Sequence, residues 1–588
     1  MINWNECSLI NYYHNKLNGI VFKCYNNTKQ TTFFAKESYP AFFFIKSKDL
    51  DITKKVLTDF KFQNDYSNME YLITFEYETQ DEWVKIIYDN IDKVYLYELQ
   101  NKIRDKLDLN KIIHYELDLL PGDNYILDRN IAISTHYKTL FFDIETRDDS
   151  GGIEIGRDQI LSICCIDSDG NEFIMCDDNE KFILEKFVSL VNQYDIVAGY
   201  NSNKFDWPYI LARIKKHNIL FYNKSIIHLD IMEIFMNSFA TKTRIGKKFM
   251  TSYSLDNVCK SFLDTSKLKI EESDEGYGGR IWNLFNTNRE KLIAYNLQDS
   301  RLLKLLDNEF KLIDNEVALC QLVSAPLTKT RSQIPMIDML FIKEARKRGM
   351  HLLSKPRNVE KAHYEGGYVF DGKPGVYSNV QIRDFNSMYP SIFRTCNISP
   401  DTLLEHEEPG CIKLSTGVCF TQRFRGLIPS VLDGLTDLRL KYKAEQSKLK
   451  ESGASADEIL KMDFKQTSVK VLILSIYGTS GSAYFRGFSL PVAEGVTLTG
   501  QYLIKNIISE LQKNKYTVVM ADTDSCGFCV NTEQESQLAD TIITDTINKS
   551  VKDLGVTGKN YLSMSHERTF SKFIVVAKKM YCGWVIAE

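Results

Sequence analysis

Long apolar runs are missing from this chain: no stretch approaches the roughly 18 residues of a membrane span. The opening MINWNECSLINYYHNK lacks the apolar core of a secretory signal, so the protein is expected to stay where it is made, in the cytoplasm. Proline is scarce, 12 in 588 residues, and no low-complexity tract is present, which excludes long flexible linkers. A disulfide framework is absent as well, because 13 cysteines is an odd count without framework spacing and suits a reducing compartment. The one C-x-x-C, Cys526 to Cys529, has no second pair to complete four zinc ligands and reads as structural. Nor is charge of one sign in excess. A net charge of −4 announces no nucleic-acid binder, so any anion-binding surface has to be local.

What is present is a globular composition, 44% hydrophobic, on a chain long enough for about three to five domains. Residues 1–135 mix strand-like pieces (GIVFKCY, AFFFIK) with helical ones. From KTLFFDIET to about residue 325, apolar strands alternate with amphipathic helices, an α/β pattern. A long helix follows (MIDMLFIKEARKRG), then turn-rich HYEGGYVFDGKPG. Residues 427–480 read as a projecting helical hairpin around the small-residue tip ESGASAD. Three basic clusters stand out, at 242–248 (KTRIGKK), 343–348 (KEARKR) and 439–450 (RLKYKAEQSKLK). Each alone is ordinarily a solvated face.

Chemistry concentrates in acids. TLFFDIET is an apolar strand whose end aims Asp143 and Glu145, two apart, in one direction. Farther on, Asp206 sits in NSNKFDWPY, and Tyr295 and Asp299 lie four apart on one face of the helix KLIAYNLQDSRLLKLL. An ion pair or a cap explains any one of these acids. As a set with the tyrosine they point to a two-metal site and a water for phosphodiester hydrolysis. In the second half, VVMADTDSCGFCV puts Asp522 and Asp524 at the tip of a hairpin. Either that is a solvated turn, or it is a metal site that needs a third carboxylate and a partner for phosphate.

These motifs resemble those of a known family. D-I-E-T, N-x-x-x-F-D-x-P-Y (Asn201 to Tyr209) and Y-x-x-x-D resemble, in order and spacing, the three exonuclease motifs of the family B DNA polymerases. The resemblance implies an RNase H-like 3′→5′ proofreading domain in which Asp143, Glu145, Asp206 and Asp299 carry two Mg²⁺, with Mn²⁺ as an alternative, and Tyr295 orients the attacking water. IRDFNSMYPSIF resembles the family's motif A, implying that Asp384 joins Asp522 and Asp524 as metal ligands and that Tyr389 lies beneath the incoming sugar. In the hairpin, Arg439 and Lys443 lie four apart, and Lys470 and Tyr477 seven apart in SVKVLILSIYGTSG. By resemblance to the fingers and motif B, Arg439, Lys443 and Lys470 bind the dNTP phosphates, and Tyr477 and Gly478 pack near the nascent pair. YEGGYV (Tyr364, Gly366, Gly367) resembles the motif where backbone approaches template. TKTRSQ resembles the segment that joins the two modules. AKKMYCG (Lys578, Lys579, Tyr581) resembles the motif that holds primer-strand phosphates and sugar.

The expected fold is a mixed α/β and α+β multidomain chain. Its divisions are an N-terminal domain (1–135), the exonuclease (136–325), linker and first palm part (326–426), helical fingers (427–480) and second palm part (481–588) of a right-hand polymerase. Expected partners are primer-template DNA, dNTPs and a sliding clamp. Two departures from the family pattern, Leu474 for Asn and Ala521 for Gly, bear on fidelity rather than on metal binding. The family's thumb has no counterpart after Tyr581, so the chain is expected to be either a truncation or one part of a split phage or viral polymerase whose thumb comes from a second polypeptide. Two other readings stay open: an exonuclease whose polymerase half only grips DNA, and a non-catalytic scaffold.

Overall fold

The computed structural model describes residues 2–14, 19–63, 70–88, 93–147, 154–237, 252–269, 277–329, 333–357, 359 and 364–587. The basic cluster at 242–248 and residues 330–332 of TKTRSQ lie outside the described residues. In the first 138 residues, runs rich in aromatic and β-branched side chains build two three-stranded antiparallel sheets, beside a two-stranded pair of Lys61–Gln63 with Glu70–Leu72. One comprises Cys7–His14, Ile20–Asn26 and Thr31–Glu37, the other Ala41–Lys46, Trp83–Tyr88 and Phe75–Gln80. The helix Lys93–Leu109 covers the second, burying Leu96, Leu99, Ile103 and Leu107 at helical spacing against Phe43, Val84 and Ile86.

Elements that carry the sites are numbered along the chain. Strands β1 (Thr139–Thr146), β2 (Ile160–Asp167), β3 (Glu172–Cys176), β4 (Ile196–Gly199) and β5 (Ile227–Asp230) form one sheet in the order β3-β2-β1-β4-β5. The β1–β2 and β2–β3 pairs are antiparallel, and β4 lies parallel to both β1 and β5. Alternation along β1 sends Leu140, Phe142 and Ile144 to one face, against helices α1 (Glu180–Val191) and α2 (Asp206–Lys216). Phe141 goes to the other face, where Leu302, Leu303 and Leu306 of α3 (Arg289–Phe310) cover it. Asp143 and Glu145 share the Phe141 face, so they meet the helix that carries Tyr295 and Asp299.

The second half is built on a six-stranded antiparallel sheet. Its strands are β6 (Val369–Phe370), β7 (Gly375–Phe385), β8 (Val518–Asp522), β9 (Ser525–Cys529), β10 (Met564–Ala577) and β11 (Met580–Ala587), in the order β6-β8-β9-β7-β10-β11. Helix α4 (Gln333–Lys347) precedes it, and α5 (Met388–Thr395), α8 (Leu490–Lys513) and α9 (Glu533–Asp553) pack on it through Ile392, Ile504, Ile507, Ile543 and Ile547. The helical hairpin stands where it is expected, as α6 (Leu427–Glu451) and α7 (Ala456–Ser480). Gly453 turns its tip at φ +70°, and a reciprocal cap between Ser455 and Glu458 starts α7. Most of the basic run at 343–348 is paired within the molecule. Arg346 pairs with Glu116 and Asp128, Arg348 with Glu344, and Lys343 donates to Ser324.

Candidate active sites

On the first sheet, Asp143, Glu145 and Asp299 each bring a carboxylate oxygen to within 4.8 Å of the other two. Burial, then the charges of Asp299, Asp206 and Glu145, push the Asp143 carboxyl well above the usual carboxylate range. Asp299 is also raised by burial, while Lys267 pulls it down from 2.6 Å. Burial opposes the Lys267 charge, but Asp299, Asp143 and Tyr295 outweigh it and raise the ammonium. Tyr295 is buried one turn before Asp299, with the Lys267 ammonium 5.7 Å from its ring. Asp206 opens α2 outside the tight triad, close enough for its charge to act on Asp143. Burial first, with Asp230 adding, pushes Asp206 up to about 7. Asp230 in turn accepts the backbone N–H groups of Asn201 and Asn203 and so fixes the turn that leads into Asp206.

Carboxylates crowded in this way suit a hard divalent cation, which takes oxygen ligands. One atom argues for it directly: Asp299 Oδ1 is buried and has no hydrogen-bond partner among the described residues.

On the second sheet, the register pairs Asp384 of β7 with Ser525 of β9, beside the Asp522-Thr523-Asp524 tip. The tip is tight. Asp524 N–H reaches back to Asp522 O at 2.7 Å, with Thr523 between them at φ +62°, a three-residue turn that side chains rarely adopt. Tyr368 O accepts the Thr523 N–H at 2.8 Å, and a Cβ on Gly367 would lie 2.5 Å from Thr523 Oγ1. Gly367 thus lets the Tyr364–Gly367 loop sit directly on the acidic tip. Asp384 is pushed up to about 7 by burial, then by Asp524 and Glu567. Asp524 is raised by burial, then by Asp522 and Glu567. Asp522 instead faces Lys579, 3.4 Å away across the Lys578-Lys579 turn between β10 and β11. Among the described residues, Asp384, Asp522 and Asp524 do not close into a group as tight as the Asp143 triad.

Above this tip, Tyr389 of α5 stacks on Tyr477 of α7 with centroids 3.9 Å apart. Tyr364 reaches the same place, because a Cβ on Gly481 would fall 2.0 Å from its hydroxyl. Among the described residues, nothing beyond the adjoining chain lies within 4 Å of the Cβ positions of Gly366 and Gly478, which leaves that side of both backbones open to approach. Lys470 is lowered by burial, then by the nearby charges of Arg439 and Lys443, so these three cations form one cluster on the hairpin. Tyr581 stacks on Phe573 at 5.6 Å near the other end of the site. Cys526 is buried in β9, where burial pushes its thiol up to about 12, as an inert structural cysteine requires.

Sequence reasoning missed Lys267, Asn296, Asp230 and Glu567. Asn296 had a signal: Tyr295, Asn296, Asp299 and Ser300 put polar side chains on the inward stripe of α3, all buried. Glu567 had none, because it is the extra residue of a bulge in which Ile382 pairs with Arg568 but Arg383 with His566.

Residues 323–588 match the family model of DNA polymerase family B, and residues 140–310 that of the RNase H superfamily. DNA polymerase 1 of Pyrococcus abyssi is 25% identical over 530 residues, 82% of this chain and 65% of that protein. The DNA polymerase of Archaeoglobus fulgidus is 28% identical over 467 residues, 76% of this chain and 55% of its own. DNA polymerase 1 of Saccharolobus solfataricus is 30% identical over 395 residues, 60% and 42% of the two chains. The chain therefore spans 65% or less of the length of these relatives. The structure of the family B DNA polymerase from the hyperthermophilic archaeon Pyrobaculum calidifontis superimposes with a TM-score of 0.71 at 20% identity, over 98% of this chain and 80% of that one. These relatives are archaeal, so the expectation of a phage or viral source draws no support from them. Among the described residues, no helix is long and apolar enough to cross a membrane.

Proposed function

We propose that this chain, whose residues 323–588 match the family B DNA polymerase model and residues 140–310 the RNase H superfamily model, is a family B DNA polymerase that adds deoxynucleotides to a primer 3′ end on a DNA template and removes misplaced ones. The carrying observation is the separation of two acid sets: Asp143 and Glu145 of β1 with Asp299 of α3, and, on the second sheet, Asp384 beside the Asp522–Asp524 tip. A scaffold, or a nuclease that only grips DNA, leaves no reason to crowd Asp384 and Asp524 together where burial and their neighbours' charges drive both toward protonation. In this reading residues 136–325 are the exonuclease, 326–426 and 481–588 the palm, 427–480 the fingers and 1–135 an N-terminal domain.

Asp384, Asp522 and Asp524 would hold two Mg²⁺ in the polymerase site, and Asp143, Glu145, Asp206 and Asp299 two in the nuclease site. Bound there, such ions neutralise charge on the attacking and leaving oxygens of an in-line displacement. The chain's own groups do the rest. Arg439, Lys443 and Lys470 take the triphosphate on the hairpin, where their mutual repulsion is relieved by an anion. Tyr389, held by Tyr477, forms the floor under the sugar. Lys578 and Lys579 meet the primer backbone, and the open Gly366 backbone meets the template. In the nuclease site Lys267 keeps Asp299 ionised and fixed, and the Tyr295 hydroxyl orients the attacking water. Strand β11 leaves Trp584 66% and Ile586 63% exposed on the outer edge of the sheet, and we place there the docking of a second polypeptide that grips the product duplex.

Primer extension and single-strand degradation, each measured with and without dNTPs and Mg²⁺, test the proposal. A chain that degrades but never extends would reduce it to a nuclease.

A further inference from the structure

Asp143 accepts a hydrogen bond from Asn296 Nδ2 to its Oδ2 at 2.7 Å. Asn296 is wholly buried on α3, one residue after Tyr295. Its other amide atom, Oδ1, accepts the Ser162 hydroxyl at 2.9 Å. Ser162 belongs to β2, where it pairs with Glu145, and it too is wholly buried. A carboxylate that holds a cation only accepts, so the amide turns its NH₂ toward Asp143 and its oxygen toward Ser162. One turn along α3, Ser300 donates to Cys164 O at 2.8 Å, and Cys164 is the residue paired with Asp143 across β1–β2. The helix is thus clamped to the strand next to the acid that its asparagine holds.

We propose that Asn296 is a positioning residue for the nuclease reaction. It fixes the Asp143 carboxylate so that this acid shares a divalent cation with Glu145 and Asp299, and Ser162 sets the orientation of the Asn296 amide. The proposal rests on the nuclease reading above. It follows the general behaviour of metal sites, in which groups that orient a ligand are worth about 10- to 100-fold in metal affinity or activity. A buried, satisfied amide that merely completes the core would show no such coupling to metal.

The test uses the full chain. In an Asp384→Asn, Asp522→Asn background, where the nuclease acids dominate metal binding, Mn²⁺ binding is measured by calorimetry for the parent, Asn296→Ala and Ser162→Ala. Asn296→Ala weakens Mn²⁺ binding by about tenfold and raises the half-saturating metal for degradation by a similar factor. Ser162→Ala moves both the same way by a few-fold. With the polymerase acids restored, primer extension by both variants stays at the parent level. Binding and metal dependence within twofold of the parent in Asn296→Ala overturn the proposal. Should Asn296→Ala unfold, Ser162→Ala decides, and an unchanged Mn²⁺ affinity there overturns it equally. A parent that neither binds Mn²⁺ nor degrades DNA overturns the nuclease reading itself, a result distinct from the failure of Asn296 alone.

Discussion

Tyr389 and Tyr477 lie ring on ring, 3.9 Å between centroids and 18° from parallel, although 88 positions of the chain separate them. A ring that is itself packed cannot swing aside for a larger sugar. Tyr389→Ala is therefore expected to raise ribonucleotide incorporation by on the order of tenfold or more, the scale on which a pocket separates ligands that differ by one small group. Tyr477→Ala should loosen the same discrimination less, because it removes the support and leaves the gate. Single-nucleotide incorporation with paired rNTP and dNTP substrates measures both effects. Unchanged ribose discrimination in Tyr389→Ala would assign the gate to another residue.

The two acid sets predict separable losses. Asp384→Asn or Asp522→Asn should cut extension by about a thousandfold, several kcal/mol of lost charge stabilisation, and spare degradation of single strands. Asp143→Ala with Glu145→Ala should do the reverse. Both activities are assayed on one preparation with circular dichroism as the folding control. A folded variant that loses both would argue for one shared site.

These acids were legible in the sequence for a physical reason. Asp143 and Glu145 stand two apart at the end of a strand of Leu and Phe, and Tyr295 and Asp299 one turn apart on a helix, so local periodicity alone puts each pair on one face. Lys267 comes from a segment without any periodic signal, and only tertiary packing brings it to Asp299. Asp230 reads as an ordinary strand end until its carboxylate is seen holding the 201–203 turn. Glu567 depends on a register shift in a long strand pair, which no single strand encodes. In the basic run at 343–348, Arg346 meets two acids more than 200 positions away, which no local pattern encodes, whereas Lys347 and Arg348 pair with Glu344 of their own helix. Of the first 135 residues, the sheet arrangement depends on which of many similar strands pair, and the sequence showed only their strand character.

Lys267 sits among acids that burial drives toward protonation, and its charge opposes that drive at Asp299 and Asp143. Lys267→Met is expected to lift the Asp299 and Asp143 carboxyls further. The acid limb of the degradation profile then moves to higher pH, and the rate near neutrality falls by about 10- to 100-fold. Lys267→Arg, which keeps the charge, should hold the limb near its parent position. Degradation rates across the pH range at fixed Mg²⁺ give the answer. A limb that does not move in Lys267→Met would mean that the ammonium is too weakly coupled to these acids to control them.

Asp384 carries the clearest pH signature in the polymerase half. Its carboxyl is pushed up to about 7 by burial, then by Asp524 and Glu567, against about 4 in an unfolded chain. Between those two values the folded metal-free protein binds more protons than the unfolded chain, so stability falls as pH rises through the window and levels off above about 7. Replacing the acid by a neutral isostere removes that penalty. In chelator, Asp384→Asn should therefore gain melting temperature over the parent at about pH 8 and gain much less at about pH 4.5, where the parent carboxyl is already protonated in the folded state. Glu567→Gln should act in the same direction but less strongly, by lowering the Asp384 carboxyl rather than abolishing it. At limiting Mg²⁺ the same variant should shift the acid limb of primer extension to lower pH, since protons then compete less well for Asp384. Melting curves at the two pH values and extension rates across the range check both halves. Equal gains for Asp384→Asn at both pH values would show that the carboxyl is already ionised near the ordinary range, and that Asp524 and Glu567 do not press on it.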